Sequence, residues 1–290
     1  MIKNLKTKLL VIVGIVVFLI SVLLICYPMI SSCIISKNQS DEIINYNDNV
    51  DKLNDSEIKL QLKKADEYNK KISENAIFAD PFNSEYEQNK DYKYENLLKI
   101  NGSDIMASIE IPAINIKLPI YHGTSDEVLQ KGIGHLQGSS LPIGGKGTHA
   151  ILTGHSGLSS SKMFTDIDQL SEGDIFYIHI LNKTLAYKID QIKIILPSEV
   201  SDLKISPNED YVSLVTCTPH GVNSHRLLVR GTRIAYDEAQ KIEKGVKKEI
   251  RSNWFQEYMN SIIVGIVIFA VIVVIFIIAK RFLKYKKKIK

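Results

Sequence analysis

The chain has 290 residues, 45% of them hydrophobic, with 36 Lys and Arg against 32 Asp and Glu for a formal net charge of +4. That length suits one packed domain with accessory segments. The positive excess argues against a nucleic-acid partner because it sits at the two ends, in Lys3, Lys6 and Lys8 and in the tail Lys280, Arg281, Lys284, Lys286, Lys287, Lys288 and Lys290, leaving the stretch between them net acidic.

Residues 1–8 read as a cytoplasmic N-terminus leading into a transmembrane anchor at 9–30, whose centre, Leu9 to Cys26, is an uncharged run of 18 residues. A cleaved signal peptide is the other reading of this run, and its apolar length exceeds that of a signal h-region. Ile30-Ser31-Ser32-Cys33 also resembles a bacterial lipobox, which would place a lipid on Cys33.

Residues 37–99 are rich in Asn, Asp, Glu and Lys, yet Ile58, Leu62, Ala65, Ile72 and Ala76 recur at spacings near three and four. With Asn54 as cap and Glu57 three residues on, this predicts an amphipathic helix that packs on the following domain. Asp80-Pro81-Phe82 interrupts it, as a proline must.

From 100 to 236 the texture is that of short strands: Ala107 to Ile111, Lys117 to Tyr121, His149 to Thr153, Asp174 to Ile180, Thr184 to Ile195, Tyr211 to Thr216 and Leu227 to Tyr236. Separated by Gly, Pro, Asn and Ser clusters, they predict a mainly β domain, an antiparallel barrel or sandwich. Residues 237–260 form a charged juxtamembrane helix carrying Trp254 and Tyr258, residues 261–279 a second transmembrane helix, and residues 280–290 a basic cytoplasmic tail suited to the anionic inner leaflet. The flanking lysines put both termini in the cytoplasm, which makes this a multi-pass protein of the cell membrane with its β domain outside.

Cys26 and Cys33 lie in or beside the first apolar run, so Cys217 is left as a lone thiol in the exported domain and reads as an accessible nucleophile. Cys217 ends one predicted strand and Arg226 begins the next. If those strands pair, a permanent cation stands beside the sulfur, where it favours thiolate and faces the oxyanion formed on attack at a carbonyl. Acyl transfer also needs an acid for the leaving amine, and His122, His135, His149, His155, His179, His220 and His225 are all candidates. His155 is flanked by glycine and serine just past a strand end, which would present its ring there. No clustered ligand pattern calls for a metal or another cofactor.

Leu214-Val-Thr-Cys217 followed by Arg226 resembles the Thr-Leu-x-Thr-Cys and later Arg signature of the sortases, with Ser213 where that pattern has Thr. Thr153-Gly-His155 resembles their catalytic histidine segment, and the likeness covers about residues 100–236. It implies a closed sortase-type β-barrel, here with an accessory N-terminal helix and two transmembrane helices. It also implies Cys217 as nucleophile, His155 as general acid and base, and Arg226 as the oxyanion or substrate-positioning cation. The two spans and Asp80-Pro81-Phe82 ahead of the barrel are similar to class C, the pilus-assembling sortases of Gram-positive bacteria. In that class an Asp-Pro-aromatic lid covers the site, so Asp80 would pair with Arg226 and Phe82 would lie against Cys217. Read without the resemblance, Asp80-Pro81 is a helix-ending turn. Members often carry Arg and Pro where this chain has Ser156 and Ser159, which bears on the rim of the groove. The implied partners are pilins or surface proteins with an LPXTG-like sorting signal, an acceptor pilin lysine and the lipid bilayer. Three alternatives use the same residues differently: a housekeeping-type sortase that attaches proteins to peptidoglycan, a hydrolytic cysteine peptidase, and a non-enzymatic membrane scaffold.

Overall fold

The computed structural model describes residues 2–75, 80–82, 92–158 and 161–245, and beyond these only 259–260, 262–267, 269–271, 274 and 278. The chain separates into two units, residues 1–25 with 253–290, and residues 26–252, which hold the β domain. Among the described residues no helix is long and apolar enough to cross a membrane, so the spans expected at 9–30 and 261–279 gain no support, and the second falls partly outside the described residues.

Helix α1 runs over Ile2–Val50 with Pro28 inside it. The segment expected to begin at Lys37 therefore starts as part of this helix, despite its polar composition. Gln39, Ile43, Tyr46 and Val50 follow one another at helical spacing and are all buried. The Tyr46 hydroxyl donates to the Met106 carbonyl and accepts from the Leu181 amide, both at 2.9 Å, pinning the helix to the barrel.

The predicted amphipathic helix is α2, Asp55–Asn75, and its expected cap is formed: Asn54 Oδ1 accepts from the Ser56 and Glu57 amides at 3.0 Å, while Glu57 accepts from the Asn54 amide at 2.9 Å. Ile58 and Ala65 are buried, Leu62 packs beside them, and Ala76 lies outside the described residues. A short α3, Tyr92–Glu95, precedes the barrel.

Eight strands close the barrel: β1 Ile105–Ile111, β2 Ile116–His122, β3 Ile133–His135, β4 Thr148–Thr153, β5 Ile175–Ile180, β6 Lys183–Ile195, β7 Asp210–Thr218 and β8 His225–Ile234. Helix α4, Asp126–Lys131, sits between β2 and β3, and α5, Tyr236–Gly245, follows β8. Residues 246–258 of the expected juxtamembrane helix, with Trp254 and Tyr258, lie outside the described residues.

The strand order is β1-β2-β3-β4-β7-β8-β6-β5. It corrects the antiparallel expectation at two places, since β2 with β3 and β4 with β7 pair in parallel. Side-chain alternation identifies a strand but not its direction, and β3, at three residues, is too short to show alternation at all.

The parallel pair brings the C-terminal ends of β4 and β7 together, Thr153 opposite Val215, and the antiparallel return starts β8 at the same end, Cys217 opposite Arg226. Alternation then sorts the faces. Leu152, Leu214, Leu227 and Val229 join the interior core, while Ile151, Val215 and Leu228 form a second cluster with Leu136 and Leu203. Cys217 is two residues beyond Val215, so it falls on the face of that second cluster.

Two histidines are built into this frame. His135 lies 2.8 Å from the Tyr94 hydroxyl and 2.8 Å from the Ser140 carbonyl, and His149 lies 2.8 Å from Ser213 Oγ and 3.0 Å from the Lys204 carbonyl. Burial lowers both from the ordinary 6.5 to about 4, the bonds to carbonyl oxygens opposing it. Because the folded values lie below the unfolded ones, this neutral burial costs nothing above pH 6.5. Stability is lost as pH falls from there toward 4, by up to roughly 3 kcal/mol per ring. Thermal unfolding between pH 7 and 4 is expected to show a steep fall in Tm below pH 6, and His149→Gln should make that slope shallower. An unchanged slope would remove His149 from the acid response.

Candidate active site

Strand β7 delivers Cys217 to its end as a residue 9% exposed, so the cysteine that the sequence put on an exposed side is buried. Cys26 and Cys33, by contrast, are exposed, and all three cysteines are free. The chain then turns through Pro219 to Ser224, where the Val222 and Asn223 amides both donate to the Pro219 carbonyl, at 3.1 and 3.0 Å. Asn223 sits at φ +59° and Gly221 at φ +76°, the left-handed conformations that a tight return needs. This turn sets Arg226 directly across from Cys217, as the sequence required if the strands paired.

The guanidinium makes four hydrogen bonds. Nη1 donates to the Asn223 and His225 carbonyls at 3.0 and 3.1 Å, while Nε and Nη2 grip Asp80 Oδ1 and Oδ2 at 2.8 and 2.6 Å. This planar two-point pair is the strong geometry for arginine with carboxylate. Phe82 follows, its amide donating to Asp80 Oδ1 at 3.4 Å and its ring lying 5.0 Å from the Arg226 guanidinium carbon. The ring also packs on the second cluster and lies 6.1 Å, centroid to centroid, from His155. The pairing of Asp80 with Arg226 is thus as expected. Phe82 lies on Arg226, which stands across from Cys217, and faces His155. On the barrel side of this segment, buried Asn69 of α2 exchanges two hydrogen bonds with the Leu141 backbone, at 2.7 and 3.1 Å, and buried Tyr94 of α3 anchors beside His135.

His155 stands just past β4. The Gly154 amide continues the ladder to the Val215 carbonyl at 3.1 Å, Thr216 Oγ1 donates to the Gly154 carbonyl at 2.7 Å, and the Phe164 amide donates to the His155 carbonyl at 3.0 Å. Gly157, at φ +72°, allows the turn that follows, and a Cβ there would meet His220 at 3.2 Å. Of the other histidines, His220 lies beside Gly157 in the turn after Pro219, and five are engaged in bonds of their own. His122 bonds the Leu97 carbonyl, His179 pairs with Glu110 and Thr184, and His225 bonds Ser224, while His135 and His149 serve the frame. Of the seven candidates, His155 is the one whose ring meets Phe82 over the Cys217 and Arg226 pair.

Burial pushes the Cys217 thiol above its ordinary range; Arg226 pulls it back, and Asp80 raises it further. Burial also lowers His155, with the Asp126 carboxylate of α4 opposing it. Burial works against the Arg226 cation, yet its bonds to Asp80 and its attraction to the sulfur raise it overall. At neutral pH this closed arrangement holds a neutral thiol and a neutral imidazole. Asp126 was not picked out from the sequence, and Ser156 and Thr216 were read only as motif positions, with no bond assigned to either. Asn223 carried the local signal of a turn residue. Among the described residues no group of three His, Cys, Asp or Glu side chains is placed to hold a metal.

The sortase domain model matches residues 109–234, which span β1 to β8 and include Cys217, His155 and Arg226. The crystal structure of sortase C-1 from Streptococcus pneumoniae is 44% identical with a TM-score of 0.64, covering 68% of this chain and 99% of that one. Sortase C1 of Streptococcus agalactiae is 42% identical with a TM-score of 0.63, covering 70% and 99%. Sortase A of Streptococcus agalactiae serotype III (strain NEM316) is 28% identical over 123 residues, 41% of this chain and 49% of that protein. This chain therefore spans about half the length of that relative.

Proposed function

Because the chain belongs to the sortases, a family of cysteine transpeptidases, we propose that it is a class C, pilus-assembling member that cleaves an LPXTG-like sorting signal and transfers the acyl part to a pilin lysine. The observation that carries this reading is the Asp80 carboxylate on Arg226, with Phe82 bridging Arg226 and His155. A plug of that shape suits an enzyme whose cleft stays shut until its polymeric substrate arrives.

In the mechanism, the Cys217 thiolate attacks the threonine carbonyl carbon of the signal. Arg226, once Asp80 has left, faces the negative charge developing on the carbonyl oxygen. His155 as imidazolium protonates the glycine nitrogen as the peptide bond breaks, leaving a thioacyl enzyme. The lysine ε-amine then attacks the thioester, His155 accepts its proton, an isopeptide bond forms and the thiolate departs. With the thiol raised and the imidazole lowered, the reactive ion pair is a minority species, so turnover is slow.

The proposal includes anchorage in the cell membrane through residues 9–30 and 261–279, with both termini cytoplasmic and the barrel outside. The apolar runs and their lysine flanks support it. Holding enzyme and membrane-tethered substrate in one plane raises their effective concentration without a new contact.

The test incubates the full-length chain with a Leu-Pro-x-Thr-Gly peptide and a pilin domain offering lysines, and reads the products by mass spectrometry. An isopeptide-linked adduct is expected. Transfer only to a peptidoglycan-type amine would favour the housekeeping reading, and release only as free acid would favour a peptidase. A Cys217→Ala strain indistinguishable from its parent in surface-protein attachment would favour the scaffold.

A further inference from the structure

The β4 and β7 pair ends as a ladder at Thr153 and Val215, with one more rung from the Gly154 amide to the Val215 carbonyl at 3.1 Å. In a parallel ladder the rungs that follow would run from the Cys217 amide to the Gly154 carbonyl and then from the amide of residue 156 to the carbonyl of residue 217. The place of the second is taken by a side chain: Ser156 Oγ donates to the Cys217 carbonyl at 2.6 Å. The backbone has already begun to turn away, through Gly157 at φ +72°, whose amide donates to Thr165 Oγ1 at 3.0 Å. A short hydroxyl at 156 spans the gap that the turning backbone leaves.

We propose that Ser156 is a positioning residue, whose hydroxyl ties the backbone beside His155 to the backbone of Cys217 and so sets the distance between imidazole and sulfur. The inference rests on reading Cys217 and His155 as nucleophile and acid-base. The bond joins the residue next to one of them directly to the other, so it carries no slack from intervening chain. Thr216 Oγ1, donating to the Gly154 carbonyl at 2.7 Å, is the reciprocal tie from strand to loop. The two bonds bracket His155 on both sides. Loss of the Ser156 hydroxyl leaves the Cys217 carbonyl without this donor and lets the histidine segment drift, and small misplacements of reacting groups are costly in rate.

The experiment uses the full-length chain with Asp80→Ala/Phe82→Ala, so that the lid does not govern access. It compares Ser156→Ala, Ser156→Thr and His155→Ala in that background. Two quantities are read: thioacyl formation with a Leu-Pro-x-Thr-Gly peptide, and the rate of Cys217 alkylation by iodoacetamide against pH. Ser156→Ala is expected to lower kcat roughly 10-fold with little change in KM, and Ser156→Thr to restore most of it. The alkylation profile of Ser156→Ala should move toward that of His155→Ala, because a displaced imidazole no longer perturbs the thiol. An alkylation profile that overlays the parent's, with or without a fall in rate, would overturn the proposal, and so would a folded Ser156→Thr that fails to recover. If the parent forms no acyl enzyme, the transpeptidase reading fails, while the alkylation profiles still decide the role of Ser156.

Discussion

Cys217→Ala is expected to abolish acyl adduct formation with a Leu-Pro-x-Thr-Gly peptide, and Arg226→Ala to lower its rate by about 10²–10³-fold, the usual cost of removing one preorganised oxyanion donor. Cys26 and Cys33 lie on α1 and have no arginine set across a strand pair from them, so the reading rests on Cys217 alone. For Arg226 the geometry separates two contributions. Its Nη1 is committed to the Asn223 and His225 carbonyls, which hold the group in place, while Nε and Nη2 form the edge that Asp80 now fills and that a substrate oxygen would take over. Lysine has no such fork, so Arg226→Lys should keep the charge beside the sulfur and still lose most of the rate. Intact mass after timed quenching reads both effects. An Arg226→Lys enzyme as fast as the parent would show that charge alone suffices and would remove the oriented-donor account.

Opening the lid is expected to have the opposite effect: Asp80→Ala/Phe82→Ala should speed alkylation of Cys217 by iodoacetamide at pH 7.5 on the order of 10-fold or more. Two causes act in the same direction. The Asp80 carboxylate raises the thiol by opposing thiolate and occupies Arg226, while Phe82 covers Arg226 and packs on the cluster of the same face, so the segment also restricts access. Removing them lowers the thiol toward its ordinary range, so the reactive form grows at every pH below that range. The gain should therefore be larger at pH 7 than at pH 10, where the parent thiol is itself increasingly ionised. The single changes separate the causes, since Asp80→Asn retains the bulk and loses the charge. Equal alkylation rates for parent and double variant across this pH range would show that the segment does not control the thiol.

The fold was legible wherever a local pattern carried the information. Seven strands were placed within a few residues of their ends because alternation and turn residues bound them, and the Asn54 and Glu57 cap was readable because a capping box lies within four residues of chain. The buried stripe Gln39, Ile43, Tyr46 and Val50 was missed because its polar surroundings mask the periodicity, and only the barrel surface explains why a tyrosine is buried there. Three-residue β3 was missed because it is shorter than the period needed to see it.

For the site, residue types and spacing singled out Cys217 and Arg226 as a pair but left seven histidines open, and it was the resemblance to the sortases that implied His155 and set Asp80 and Phe82 beside them. The side chains that tune these groups came from long-range pairing. The register of β4 against β7 brings Ser156 to Cys217 across 61 positions, and the lid reaches Arg226 across 146. Hydrophobic alternation, caps and nucleophile chemistry depend on neighbours in sequence, so they were encoded locally and could be read from the chain. Strand direction, the burial of the thiol and the choice of Phe82's contacts depend on which distant segments share a face, and closure of the barrel settles that.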